Sequence, residues 1–189
     1  MTAEAVDFPD RKAWAKWLDR HHNTSSGLWV RLAKKGSDLK SVTYQEALEE
    51  ALCYGWIDAQ KRGESEAAWL QRFMPRAAKS IWSKINRQKA LALIESGLMK
   101  PAGLREVERA RVDGRWELAY DGARTSVVPP DLELAFSANP AARKFFETLD
   151  GANRYAVLFR VQTAKKPETR ARRIATLVEM LGKGEKIHP

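Results

Sequence analysis

Residues 54–75 read YGWIDAQKRGESEAAWLQRFMP. Apolar and aromatic residues crowd the two ends, YGWIDAQ (54–60) and AAWLQRFMP (67–75), and the polar, glycine-containing KRGESE (61–66) stands between them. Two strand-forming runs joined by a short polar turn predict a β-hairpin. Side chains alternate between faces along a strand, so Trp56 and Asp58 share one face and Ile57 takes the other. In the returning strand Trp69, Gln71 and Phe73 oppose Leu70 and Arg72.

Upstream, LWVRLAKKG is rich in strand formers and ends in a basic glycine turn, which predicts a strand over 28–34 and, with the hairpin, a small antiparallel sheet. Between these strands Thr43 and Glu46 form a T-x-x-E capping box, with Val42 and Ala47 at the flanking staple positions. A helix is expected over 43–54, burying Ala47, Leu48, Ala51 and Leu52, with Cys53 in the core beside them. An earlier amphipathic helix over 9–21 starts at Pro9-Asp10 and carries Ala13, Trp14, Trp17 and Leu18 on one stripe.

Downstream the periodicity is helical. Ser83 is placed to cap a helix over 84–96 with Leu91, Ile94 and Leu98 on one side and Gly97 as its stop; Pro101 opens a helix over 101–112 ended by Gly114. YDGARTSVVPPD (120–131) is dense in turn residues. Helices then follow near 131–137, 140–149 and 153–163, and a last one from about Pro167 carries Ile174, Leu177, Val178 and Leu181. The expected fold class is α+β, a small antiparallel sheet with packed helices in the N-terminal half and an all-helical C-terminal half. The expected organisation is an α+β domain over 1–120, a linker or loop over 121–130, and a helical region over 131–189 packed on the first.

The net charge of +9 is uneven: residues 60–100 hold 9 Lys+Arg against 3 Asp+Glu and residues 141–189 hold 11 against 5, while the other two stretches are nearly balanced. Such blocks concentrate anions near them. No apolar run of membrane-spanning length occurs, and the N-terminal MTAEAVDFPDRKAW carries acids where a signal peptide has a basic and then an apolar region. A cytoplasmic location is expected. Cys53 is the one cysteine and His21, His22 and His188 are the three histidines. That leaves no zinc spacing and no Cys-His couple, and neither a Walker loop nor G-x-G-x-x-G occurs. No catalytic set, cofactor or metal is expected.

Three groups of residues remain. Asp58 on the face of Trp56 is an acid in an apolar strand, and Arg72 or Arg76 is its expected ion-pair partner. FMPRAAKSIWSKIN (73–86) sets Arg76, Lys79 and Lys84, with the hydroxyls of Ser80 and Ser83, around Trp82 just ahead of a helix whose first N–H groups and dipole favour an anion. Trp82 either packs on the core or serves as a stacking platform. In AKKPETRARRI (164–174), Arg170, Arg172 and Arg173 border the apolar stripe, where arginines snorkel, pair with acids or clamp a phosphate.

GWIDAQ, PRAAKSIWSKIN, PAGLREVERARVDGRWE and AKKPETRARRI, in that order, resemble the YdeI/OmpD-associated family, also called the bacteriocin-protection family. Its central pattern, G-W-I-D, then F-x-P-R, then S-x-W-S-x-x-N, falls here on Gly55, Trp56, Ile57 and Asp58, on Phe73, Pro75 and Arg76, and on Ser80, Trp82, Ser83 and Asn86. Ala59 departs from the glycine of the pattern, and the RAAKS stretch is less basic than the family's. The resemblance implies a bacterial protein linked to bacteriocin and envelope stress, with no enzymatic activity established for the family. The leading expectation is a non-catalytic protein that binds an anionic small molecule or acidic partner through Trp56, Asp58, Arg72, Arg76, Lys79, Ser80, Trp82, Ser83, Lys84 and Asn86, with Arg170, Arg172 and Arg173 as a second basic site. Nucleic-acid binding by the two basic blocks, and an enzyme using Asp58 as base on a small anionic substrate, are the alternatives.

Overall fold

The computed structural model describes residues 5–189, which form eight helices and one four-stranded sheet. They group into two compact units, residues 5–82 with Asn86–Glu117, and Ser83–Ile85 with Leu118–Pro189.

The first unit holds β1 (Ala5–Asp7), α1 (Arg11–His21), β2 (Leu28–Ala33), α2 (Tyr44–Cys53), β3 (Trp56–Gly63), β4 (Ala68–Pro75), most of α3 (Lys84–Glu95) and α4 (Pro101–Val112). The sheet order is β1-β2-β4-β3. The hairpin and β2 pair antiparallel as expected, with Asp58 opposite Phe73 and Val30 opposite Gln71. One strand goes beyond that expectation: β1 adds to β2 in parallel, so the sheet is mixed. Val30, Leu32 and Phe73 face Trp14 and Leu18 of α1 and the apolar stripe of α2. Trp14 joins these layers, its ring 5.6 Å from Phe73 and its indole N–H donating to Ala47 O at 3.0 Å. The opposite face carries Trp29 and Leu70 among the cross-strand neighbours Arg31, Arg62 and Arg72, and the guanidinium of Arg62 lies over the Trp29 ring.

The Thr43–Glu46 capping box forms in both directions, and the five residues read as buried in α2, Cys53 included, are its buried residues. Gly55, at φ 74°, turns α2 into β3, and a Cβ there would sit 2.9 Å from Ala102 O. At Gly103 a Cβ would lie 2.4 Å from Cys53 O and 2.7 Å from Leu52 O. These two glycines let the backbone of α4 lie against the end of α2. The buried face of α3 corrects the expected one. Ala90 and Leu93, three residues apart and so on one face, are buried together with Met99, while Leu91 and Leu98 are exposed.

The second unit is built on α5 (Pro130–Ser137), α6 (Pro140–Thr148), α7 (Gly151–Gln162) and α8 (Pro167–Gly182). Side-chain caps from Asn139 and Asp150 open α6 and α7, and a proline in the first turn opens α5, α6 and α8. Ile174, Leu177, Val178 and Leu181 are the buried residues of α8, as its periodicity predicts. They pack with Leu132, Phe136, Phe146 and Val157 in one core. The turn-rich segment before α5 is bound to α7, with Gln162 Nε2 and Tyr155 Oη both donating to Asp121 O at 3.1 Å.

Candidate functional site

The residues singled out in 56–86 do not share one surface. Trp56 is sealed in the core, its indole N–H donating to His22 O and its ring set edge-on to Trp14 and Trp17. Asp58 accepts a hydrogen bond from Tyr44 Oη at 2.7 Å, and no ion pair joins it to an arginine among the described residues. The expected Asp58–Arg72 or Asp58–Arg76 pair is therefore absent. Asp58 pairs with Phe73, so Arg72, one residue earlier on β4, points to the other face of the sheet. Burial and the Asp58 bond together push the Tyr44 hydroxyl well above its ordinary pKa.

Arg76, Ser80 and Trp82 do come together, and other residues complete the arrangement. Arg76, 6% exposed, stacks its guanidinium 3.6 Å from the centre of the Trp82 ring and donates to Ser80 Oγ and Ile81 O, both at 3.4 Å. Arg109 donates to Ala77 O at 3.3 Å, and Arg115 donates to Ser80 O. Three guanidinium groups thus bond three carbonyls of the irregular 77–81 segment, of which Ala77 O also accepts from the Ser80 N–H at 2.9 Å. Trp82 is sealed beneath them against Trp116, ring centres 4.9 Å apart. The negative side chains here are Glu106, bonded to Arg109, and Asp113, which accepts from Arg115 Nε at 2.7 Å. Burial pushes the Glu106 carboxyl above the usual range, against the pull of Arg109, Arg76 and Arg115. Trp82 Nε1, Arg109 Nε and Arg115 Nη2 are buried donors that hydrogen-bond to no described group. Lys79 is exposed at the edge of this cluster.

At the start of α3 the negative partners belong to the chain itself. The Lys84 N–H donates to Tyr120 O at 2.8 Å, its ammonium meets Asp121 at 2.8 Å, and Ser83 bridges to Tyr120. Asn86 follows, half-buried, in the same first turn.

An open concavity with a basic lining lies elsewhere. Between α7 and α8 a cleft of about 400 Å³ is lined by Phe159, Arg160 and Thr163 on one side and Arg172, Arg173, Thr176 and Leu177 on the other. Helical spacing puts Arg172 and Thr176, and Arg173 and Leu177, one turn apart on the face of α8 that meets α7. Arg173 Nη1 donates to Arg160 O at 2.7 Å and to Thr163 Oγ1 at 3.4 Å, which holds that guanidinium over the C-terminal turn of α7. Arg160 and Arg172 are exposed and meet no acid among the described residues. No carboxylate lines the cleft. Arg170, read with Arg172 and Arg173 as one group, is engaged otherwise: it forks onto Asp131 at 2.5 and 2.9 Å and donates to Val161 O at 2.9 Å. Its hydrogen bonds hold the Asp131 carboxyl below the usual range.

A family model described as Domain of unknown function (DUF8412) matches residues 6–106, more than half of the chain. The chain belongs to this DUF8412 family. A second model, described as Bacteriocin-protection, YdeI or OmpD-Associated, matches residues 125–184. The resemblance to that family is thereby shown on the stretch holding AKKPETRARRI and the α7–α8 cleft, while the G-W-I-D, F-x-P-R and S-x-W-S-x-x-N residues lie within the DUF8412 match. No curated protein and no solved structure matches the chain.

Among the described residues no cluster of three His, Cys, Asp or Glu is placed to hold a metal ion, and no helix is long and apolar enough to cross a membrane. Cys53 is 1% exposed, and burial pushes its thiol up to about 12, which keeps it protonated and unreactive near neutral pH. The sequence reading missed Glu106, Arg109 and Arg115, although the E-x-x-R spacing of 106 and 109 was a visible i, i+3 pair. It also missed Arg160 and Thr163, whose role depends on α8 lying against α7.

Proposed function

We propose that this DUF8412 member is a bacteriocin-protection-like protein that works by binding an anion in the α7–α8 cleft. The observation that carries the reading is the lining: three arginines, two threonines and no carboxylate around an open hollow. Guanidinium groups stay protonated at any physiological pH, so they attract and orient an anion but supply no general base. The match of residues 125–184 to the bacteriocin-protection family supports the same stretch as the working part of the chain. Calorimetric titration with inorganic phosphate tests this. Binding that weakens as salt rises and is lost in the Arg160→Ala/Arg172→Ala double variant is expected; equal binding by a folded double variant overturns it.

The buried donors Trp82 Nε1, Arg109 Nε and Arg115 Nη2 favour a second reading, in which a small anion settles among the arginines over Trp82. Phosphate binding that survives the cleft variants but is lost in Arg109→Ala supports this second site over the first.

A further inference from the structure

The cleft joins two chemistries, and their arrangement narrows the anion it takes. On the charged side, Arg173 uses only Nη1 on Arg160 O and Thr163 Oγ1, so its Nε and Nη2 remain without a described partner, and Arg160 and Arg172 have all their donors in that state. Thr163 donates its own proton to Phe159 O at 2.6 Å and so presents lone pairs to Arg173, fixing which way that guanidinium forks. On the other side, Leu177 is 4% exposed at the base of the cleft, and Phe159 is held edge-on to Tyr120, ring centres 5.0 Å apart at 90°. The hollow therefore has a fixed aromatic and aliphatic wall facing three cations.

A carboxylate offers two oxygens and one charge, which a single arginine fork satisfies. Three cations without an acid among them suit a group with three terminal oxygens and close to two negative charges, and a phosphate monoester has both. Its fourth oxygen must carry an organic substituent, and the surface left for that substituent is Phe159 and Leu177. The volume, about 400 Å³, is in the range of small-molecule sites. Resting on the anion-binding reading above, we infer that the cleft takes a small phosphate monoester whose organic group is aromatic or apolar.

Phenyl phosphate, inorganic phosphate and benzoate, each titrated into the full chain by calorimetry, separate the two halves of the requirement. Phenyl phosphate is expected to bind roughly tenfold or more tighter than either of the others. In Arg172→Ala its affinity is expected to fall about tenfold, and in Phe159→Leu its advantage over inorganic phosphate is expected to shrink, with thermal unfolding confirming that both variants remain folded. Equal affinity for phenyl phosphate and inorganic phosphate overturns the organic group while the anion-binding reading stands. Benzoate binding as tightly as phenyl phosphate overturns the phosphate. An unchanged Arg172→Ala moves the ligand out of the cleft, and binding of none of the three overturns both readings together.

Discussion

Arg115 and Arg172 both sit in arginine-rich helical surroundings, yet their fates are opposite. The Arg115 side chain is 4% exposed and is turned onto Ser80 O and Asp113; Arg172 is exposed at a cleft and meets no acid among the described residues. The first belongs to a clamp whose acceptors are peptide carbonyls and two carboxylates. The second belongs to a surface where the anion is not supplied by the described chain. Counting cations does not distinguish the two groups; the distinction lies in whether the backbone nearby has carbonyls left over. An irregular segment such as 77–81 consumes arginines, whereas a finished helix such as α7 has unsatisfied carbonyls only at its end and needs Arg170 and Arg173 there, not Arg160 or Arg172.

The sharpest way to break this contrast is to remove one arginine from each group. Arg115→Ala deletes a buried guanidinium and the charge-assisted bond it makes to Ser80 O, so it should cost about 2 kcal/mol in urea unfolding. A cost near zero would mean that the clamp is not structural. Arg172→Ala should leave stability within about 0.5 kcal/mol and instead weaken phosphate binding about tenfold, measured by calorimetry. Cys53 gives a third, smaller readout within the first unit. Its buried thiol should react with a thiol-specific disulfide reagent at pH 8 only through opening of the fold. The rate should therefore rise in Arg115→Ala and stay at the wild-type value in Arg172→Ala.

The smallest effect concerns Asp131, whose pKa is lowered in the folded chain by Arg170. A carboxyl depressed on folding contributes stability that is complete above its unfolded value, about 4, and is lost as pH falls through the folded value. Both groups are partly exposed, so the contribution should stay below about 1 kcal/mol. Asp131→Asn should remove that much at pH 7 and progressively less as pH falls below about 4, as read from thermal unfolding across the pH range.

What could be read from sequence follows the range of the interactions. The hairpin, the capping box of α2 and the buried stripe of α8 are set by residues within a few positions of one another, and all three are found where the pattern puts them. β1 escaped because three residues carry too little alternation to register, and its parallel pairing to β2 exists only once the fold brings them together. Asp58 was legible as an acid needing a partner, but strand alternation excluded Arg72, and Tyr44 is supplied from the first turn of α2. The clamp was half legible. FMPRAAKSIWSKIN announces its cations and its tryptophan, while Arg109 and Arg115 lie more than 30 residues from the carbonyls they meet. The cleft was legible on the α8 side as Arg172 and Arg173, and the α7 side appears only in three dimensions.

On this reading the exposed arginines between α7 and α8, and not the buried ones around Trp82, receive the anion. Following backbone amide shifts by two-dimensional ¹H–¹⁵N NMR while inorganic phosphate is titrated into the full chain tests it most directly. Saturable shifts are expected at residues 159–163 and 172–177 with 76–82 unmoved; shifts concentrated at 76–82 and 106–116, or none at all, would overturn the assignment of the anion to the cleft.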